Sequence, residues 1–171
     1  MVADRIMDLA TGFGFEQAKQ SLLPYFCAFL KDVESEVRTA ALNRMSDFCR
    51  ILDVPSILTK IVPCFTDLQK DTFVYVRCAL AENILSLCPA LQKANTNQFI
   101  LPIFLLLLRD ESSEVRLNLF KHLEDLNQVI GVAELQQSIV PSLEELAKEK
   151  SWRMKTSVIQ QFPMLARQLG E

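Results

Sequence analysis

The stretch at residues 24–38, PYFCAFLKDVESEVR, decides the fold, because copies of it recur along the chain. They read PCFTDLQKDTFVYVR at residues 63–77, PIFLLLLRDESSEVR at 102–116 and, in weaker form, PSLEELAKEKSWRMK at 141–155. Each copy begins with a proline, and the step from one proline to the next is always 39 residues. Self-similarity at a fixed period indicates that one structural unit is repeated end to end.

Apolar residues within each copy are spaced by three and four, which is the period of a helix and not of a strand. In the first copy, Leu23, Phe26 and Leu30 lie on one helical stripe, and Val37 and Ala41 begin a second stripe after a short polar turn. A single helix pair cannot bury both stripes, whereas stacked pairs can. The pattern therefore predicts an all-α solenoid, a right-handed superhelix of antiparallel helix pairs.

The period also divides the chain into one continuous array. We predict four repeats, called units one to four below, at residues 15–54, 55–93, 94–132 and 133–171, preceded by the second helix of a truncated repeat at residues 1–14. The recurring proline is expected in the first turns of each first helix or at a kink there. Because the array would start within a repeat and has no polar capping helix, we expect a piece of a longer solenoid whose uncapped ends can self-associate.

Two further columns of the repeat carry opposite charges, six residues apart. We predict that each acid binds amides of its own turn while each base reaches the adjoining turn, which would form a ladder between units. The alternative is a set of solvated turn charges. The residues assigned to the ladder are Asp32, Arg38, Asp71, Arg77, Asp110, Arg116 and Lys155, with Glu149 in the fourth acidic position.

The bulk composition excludes several classes of protein. A net charge of −3 over 171 residues does not favour a nucleic-acid surface, which needs clustered lysine and arginine. The longest apolar run, residues 99–108, is too short for a membrane span, which takes about 20 residues. Five cysteines without C-x-x-C spacing indicate reduced thiols and a cytoplasmic or nuclear protein.

Nothing in the sequence suggests catalysis. His122 is the only histidine, its column in the repeat is otherwise polar, and no nucleophile is placed beside it. There is no glycine-rich phosphate loop and no cluster of metal ligands. We therefore expect a protein that is not an enzyme and that needs no cofactor or metal.

The turns between paired helices vary most, so partner contacts are expected there. Turn four combines Trp152 with Lys150 and Arg153, and tryptophan and arginine are the types most enriched in binding hot spots. The alternative for Trp152 is packing against an adjoining turn or repeat. Turn two carries Phe73 and Tyr75, for which partner contact and local packing both remain open.

The pattern of proline, then aspartate eight residues on, then Val-Arg five and six residues further, resembles the HEAT repeat. The stretches MVADRIMDLATGFG, KDVESEVRTAA, LLRDESSEVRLNL and KSWRMK are similar to the middle of the scaffold (A) subunit of protein phosphatase type 2A. The resemblance runs over nearly the whole chain. It departs most at a short segment between units, residues 53–59.

This resemblance implies a non-catalytic scaffold that holds two other subunits of a phosphatase. In that family the Trp-Arg turn of the matching repeat contacts the catalytic subunit, which assigns this role to Trp152 and Arg153. Earlier repeats in the family serve mainly the variable regulatory subunit. The alternatives are a HEAT solenoid that acts as an adaptor in nuclear transport or vesicle coats, and a purely structural spacer.

Overall fold

Helices account for all the regular structure of the computed structural model, and no strand occurs within residues 15–120 and 123–148. The structure describes these two ranges and seven further positions, which are Trp152, Lys155, Thr156, Ile159, Pro163, Ala166 and Arg167. The prediction of an all-α solenoid is confirmed. The truncated repeat predicted at residues 1–14 lies outside the described residues.

Units one to three each contain two described helices that are joined by a short turn. Unit one has the first helix Phe15–Phe29 and a second helix in two pieces, Ser35–Asn43 and Met45–Cys49. The first helix of unit two comprises Val54–Ser56, the π-helical turn Ile57–Ile61 and Val62–Leu68. Its second helix comprises Val74–Asn83, the 3₁₀ turn Ile84–Leu87 and the first residues of Cys88–Asn95.

Units three and four continue the same order. The first helix of unit three contains the π-helical turn Thr96–Ile100 and Leu101–Leu107, and its second helix is described as Ser113–Phe120 and Leu123–Ile130. The first helix of unit four is Val132–Lys148. The second helices of successive units pack side by side: Ser35–Asn43 against Val74–Asn83, Val74–Asn83 against Ser113–Phe120, and Cys88–Asn95 against Leu123–Ile130.

The recurring proline lies inside the first helix and not in its first turns, which corrects the first of the two expectations. Pro24 and Pro141 fall within Phe15–Phe29 and Val132–Lys148. Pro63 and Pro102 each follow directly on a π-helical turn. Proline lacks the N–H of a helical bond and its ring crowds the preceding turn, so a locally widened turn relieves the conflict.

The chain reverses between units at a residue with a left-handed backbone. Gln92 has φ +60° and ψ 174°, and Gly131, which lies 39 residues further along, has φ +87°. Glycine adopts such angles freely, whereas a side chain makes them unfavourable. The two residues occupy the same column of the repeat and make the same reversal.

Phenylalanines of the repeat form the centre of the core. Phe26, Phe65 and Phe104 are spaced by 39 residues, and each is at most 1% exposed. In unit one, the ring of Phe26 stacks on Phe48 of the second helix with a centroid distance of 4.1 Å. Burying one such side chain stabilises the fold by about 1.5–3 kcal/mol. In unit one the stacked pair joins the two helices.

One described stretch, Val74–Leu107, is long and apolar enough for a membrane span by length and composition alone. It contains the reversal at Gln92 and therefore runs in two directions. In the protein, 61% of its most apolar window is buried. This stretch is apolar because many of its side chains belong to the core of units two and three.

Candidate protein-binding surface

Each described turn is closed by the aspartate of the repeat. The carboxylate accepts a hydrogen bond from the backbone N–H two residues on, which is the geometry of an Asx-turn. The three bonds run from Glu34 N–H to Asp32 Oδ1 (2.9 Å), from Phe73 N–H to Asp71 Oδ1 (3.0 Å) and from Ser112 N–H to Asp110 Oδ1 (2.8 Å). The residues that precede the second helices of units one and two, Glu34 and Phe73, make no side-chain cap hydrogen bond themselves.

The arginines of units one and two each reach the aspartate of the next unit. Arg38 donates from Nε to Asp71 Oδ2 (2.7 Å) and from Nη2 to Asp71 Oδ1 (3.0 Å). Arg77 makes the same two bonds to Asp110, at 2.7 and 3.0 Å. In each case Nη1 also donates to the backbone of its own unit, at Asp32 O or Asp71 O, both at 2.7 Å. Each arginine therefore joins two successive turns.

The two arginine–aspartate pairs are largely buried, so they belong to the internal packing of the fold and not to its exposed surface. The Arg38 and Asp71 side chains are 12% and 9% exposed, and those of Arg77 and Asp110 are each 8% exposed. Hydrogen bonding to Asp110 raises the pKa of Arg77 above its usual value, so the guanidinium stays charged. Loss of either partner would leave a buried charge uncompensated, and this is strongly destabilising.

The remaining members of the predicted ladder are only partly described. Arg116 is 2% exposed, and its Nη1 donates to Asp110 O. The acid of the next unit, Glu149, lies outside the described residues. Lys155 is exposed, at the position that corresponds to the buried arginines. The bidentate pairing therefore extends over units one to three.

The turns at residues 32–36, 71–75 and 110–114 form what we call the turn surface. Its aspartates are engaged in the ladder, while Glu34, Glu36, Glu111 and Glu114 remain exposed at or near the starts of second helices. The pKa of Glu36 is lowered by a hydrogen bond from its own backbone N–H, and further by the Ser35 hydroxyl. Glu36 is therefore ionised at neutral pH.

Aromatic side chains lie between these acids. Phe73 is 47% exposed and Tyr75 is 43% exposed, with their ring centroids 5.4 Å apart and their planes tilted by 47°. The Tyr75 hydroxyl is hydrogen-bonded to Ser35 Oγ of the neighbouring turn. The hydrogen bond to Ser35 is the local packing that the sequence left open for Tyr75, while partner contact, the other alternative, stays a prediction. Val33, 90% exposed on turn one, adds an apolar side chain that no column of the repeat indicated.

Trp152 is 69% exposed, and its carbonyl accepts a hydrogen bond from Thr156 Oγ1 (2.9 Å), as in the first turn of a helix. It belongs to turn four, two units beyond the Phe73–Tyr75 pair. Lys150 and Arg153, predicted to accompany Trp152, lie outside the described residues, and so does His122. Among the described residues there is no group of three side chains suited to a metal ion.

Two family models match the chain. Residues 15–92 match the PPP2R1A-like HEAT repeat, and residues 54–168 match the family described as PIK3R4-like, middle domain. No curated protein sequence matches the chain. The fold resembles the crystal structure of Cex1p with a TM-score of 0.83 at 16% identity.

The similarity to Cex1p covers 98% of this chain but 32% of that one, so the chain spans about a third of the length of Cex1p. At this identity the similarity concerns the fold alone. The PPP2R1A-like match confirms the HEAT repeats, and a HEAT solenoid is typical of a protein-interaction adaptor without chemistry of its own. Since the second family model covers more than half of the sequence, the chain belongs to the family of PIK3R4-like middle domains.

Proposed function

We propose that the chain is a non-catalytic scaffold segment of a protein phosphatase 2A-type holoenzyme, a protein of the cytoplasm and nucleus. In this proposal unit four holds the catalytic subunit through Trp152, Arg153 and Lys150. The earlier units hold the variable regulatory subunit through Phe73 and Tyr75. The observation that carries the proposal is the 69% exposure of Trp152, a large apolar side chain in a turn.

The arrangement of the turns supports this division of roles. The ladder engages Arg38, Asp71, Arg77 and Asp110 within the fold, so the regular residues of the repeat are not available to a partner. The exposed aromatic residues depart from the regular columns. Aromatic anchors surrounded by less important contacts are typical of hot spots in protein interfaces. The match of residues 15–92 to the PPP2R1A-like HEAT repeat favours a phosphatase as the enzyme that is held.

Calorimetric titration with a purified phosphatase 2A-type catalytic subunit tests the proposal. We expect the wild-type chain to bind and Trp152→Ala to weaken binding by about 2 kcal/mol, or roughly 30-fold in Kd, because the hot-spot contact is lost. Tyr25→Ala is the matched control. Tyr25 is 65% exposed but lies on a first helix, away from the turn surface, so its removal should leave the affinity unchanged.

Two results would contradict the proposal. If the wild-type chain does not bind the catalytic subunit, the phosphatase role fails, and binding of a small GTPase instead would favour the transport or coat adaptor. If both variants weaken binding equally, the subunit recognises the solenoid elsewhere than at the Trp152 turn. Circular dichroism of both variants separates a lost contact from a lost fold.

A further inference from the structure

The thiols of two cysteines from different units are hydrogen-bonded to the same backbone carbonyl. Cys27 lies on the first helix of unit one, and Cys64 lies on the first helix of unit two, next to Pro63. The oxygen of Lys60 accepts a hydrogen bond from the thiol of Cys64 (3.3 Å) and from that of Cys27 (3.7 Å). Two sulfur atoms that share one acceptor lie within reach of each other across the interface between units.

The two thiols differ in access. Cys27 is half-buried, whereas Cys64 is buried. Cys49, Cys78 and Cys88 are buried as well. A solute that oxidises thiols would therefore meet Cys27 first, with Cys64 as its neighbour.

We propose that Cys27 and Cys64 form a reversible disulfide between units one and two when the protein is exposed to a peroxide. The Cys27 thiolate attacks one peroxide oxygen and the O–O bond breaks, which gives a Cys27 sulfenic acid and hydroxide. The hydroxide takes up the proton that Cys27 released on ionisation and becomes the first water. The thiol of Cys64 then attacks the sulfenic sulfur and forms the S–S bond. Its proton leaves with the displaced hydroxide as a second water. Overall, two thiols are oxidised and one peroxide is reduced.

The electrostatics of the site assign the attacking role to Cys27. When Cys27 is ionised, the Cys64 thiol can donate its one proton to the Cys27 sulfur in place of the Lys60 carbonyl. This hydrogen bond lowers the pKa of Cys27 to about 7, and the cations of Lys31 and Lys60 lower it further against the opposing effect of burial. The same hydrogen bond and burial raise the pKa of Cys64, which therefore remains the protonated partner. Burial raises the pKa of Cys49, Cys78 and Cys88 to about 12, 11 and 12. Cys27 is thus the one cysteine with substantial thiolate at neutral pH.

A disulfide at this place would connect the first helices of neighbouring units. The ladder already joins their turns through Arg38 and Asp71. In a solenoid, shape follows from the small rotation between one unit and the next. A covalent bond across one interface would fix that rotation and so affect the positions of any proteins held on either side.

Non-reducing peptide mapping of the full chain tests the proposal. After treatment of the reduced protein with hydrogen peroxide, we expect mass spectrometry to find the Cys27 and Cys64 peptides linked, and dithiothreitol to separate them. Cys27→Ser and Cys64→Ser should each abolish the link. Cys78→Ser, which alters a buried cysteine of a second helix, should leave it intact.

An independent measurement follows the reactivity of Cys27 without oxidant. Alkylation by iodoacetamide at pH 7 should be roughly five- to tenfold faster at Cys27 than at an ordinary thiol, because a larger thiolate fraction outweighs its lower nucleophilicity. The rate should fall as the pH drops below about 7. A stable Cys27 sulfenic acid trapped by dimedone in the wild-type protein, or a link between other cysteines, would overturn the proposal.

Discussion

Gln92 stands where the repeat requires a left-handed backbone. Among the described residues it is the only non-glycine residue with a positive φ, and it is exposed. Its counterpart in the next unit is Gly131. Because the unfavourable contacts come from Cβ, we expect Gln92→Gly to raise the free energy of unfolding by about 1 kcal/mol, net of the greater entropy of the unfolded glycine chain. Urea denaturation followed by circular dichroism measures the change.

Gln92→Ala is the control for this prediction. Alanine keeps Cβ but removes the rest of the side chain, so it should give no gain in stability. An equal gain from alanine would mean that the outer part of the glutamine side chain, and not the backbone angle, is unfavourable.

A ladder arginine, Arg77, and an arginine outside the ladder, Arg109, allow a buried and an exposed ion pair to be compared within one protein. Arg77→Met leaves the Asp110 carboxylate buried without its bidentate partner, and we expect it to lower the free energy of unfolding by about 2 kcal/mol or more. Arg109 pairs with Glu145, also across two units, but their side chains are 57% and 63% exposed. Arg109→Met should therefore cost less than about 1 kcal/mol.

Chemical denaturation of both variants decides this comparison. Equal losses would show that solvent screens the Arg77–Asp110 pair as fully as the exposed pair. In that case the ladder would set the register of the turns without stabilising them.

At the scale of the helix, the buried and exposed faces differ sharply. Leu101–Leu107 is apolar throughout, yet Phe104 is fully buried whereas Leu106 is 47% exposed. We expect Phe104→Ala to destabilise the fold by about 3–5 kcal/mol, because it removes a core ring and leaves a cavity. Leu106→Ala in the same helix should change the free energy of unfolding by less than about 1 kcal/mol.

Denaturation midpoints of the two variants give the measurement. Similar losses would mean that both side chains contact the core, and the assignment of the inner face would be wrong. A much larger loss for Phe104 would support the same inner face in units one and two, where Phe26 and Phe65 occupy the same column.

Helix pairing was predictable from the sequence because the spacing of apolar residues is local information. The position of the proline within the first helix was not, because it depends on where that helix starts after the preceding reversal. At Gln92 the chain reverses although the sequence has no glycine there to indicate a reversal. The π-helical turns before Pro63 and Pro102 likewise follow from packing around a missing N–H and have no sequence signal of their own.

Across the whole molecule, contacts that follow the period were easier to foresee than those that do not. The Arg38–Asp71 and Arg77–Asp110 pairs recur at one fixed separation, so the columns pointed to them. The Cys27–Cys64 pair and the Ser35–Tyr75 hydrogen bond occur at single interfaces, and Cys27, Cys64 and Tyr75 have no residue of the same type in their columns. The sequence repeat therefore predicts the contacts that recur between units. A contact that occurs at one interface only can be recognised once the structure shows the two units side by side.

Exposed acidic and basic side chains occupy different positions around the turns, and this separation affects which regulatory partner can bind there. Glu34, Glu36, Glu111 and Glu114 are exposed at or near the starts of second helices, beside Phe73 and Tyr75. The exposed basic side chains that flank these turns precede them, at the ends of first helices, and are Lys31, Lys70 and Arg109. A partner segment that covers the aromatic pair would thus face acids on both sides, which favours an apolar anchor flanked by lysine or arginine.

This arrangement predicts a salt-dependent association with the regulatory subunit. We expect the association rate, measured by surface plasmon resonance, to fall as the salt concentration rises, because exposed charges are screened over about 10 Å at 0.1 M salt. A chain with all four turn glutamates changed to glutamine should bind more slowly at low salt and lose most of that dependence. Lys31→Gln combined with Lys70→Gln is the control, and it should preserve the dependence. If the lysine variant loses the salt dependence and the glutamine variant retains it, the partner is acidic and contacts the ends of the first helices instead.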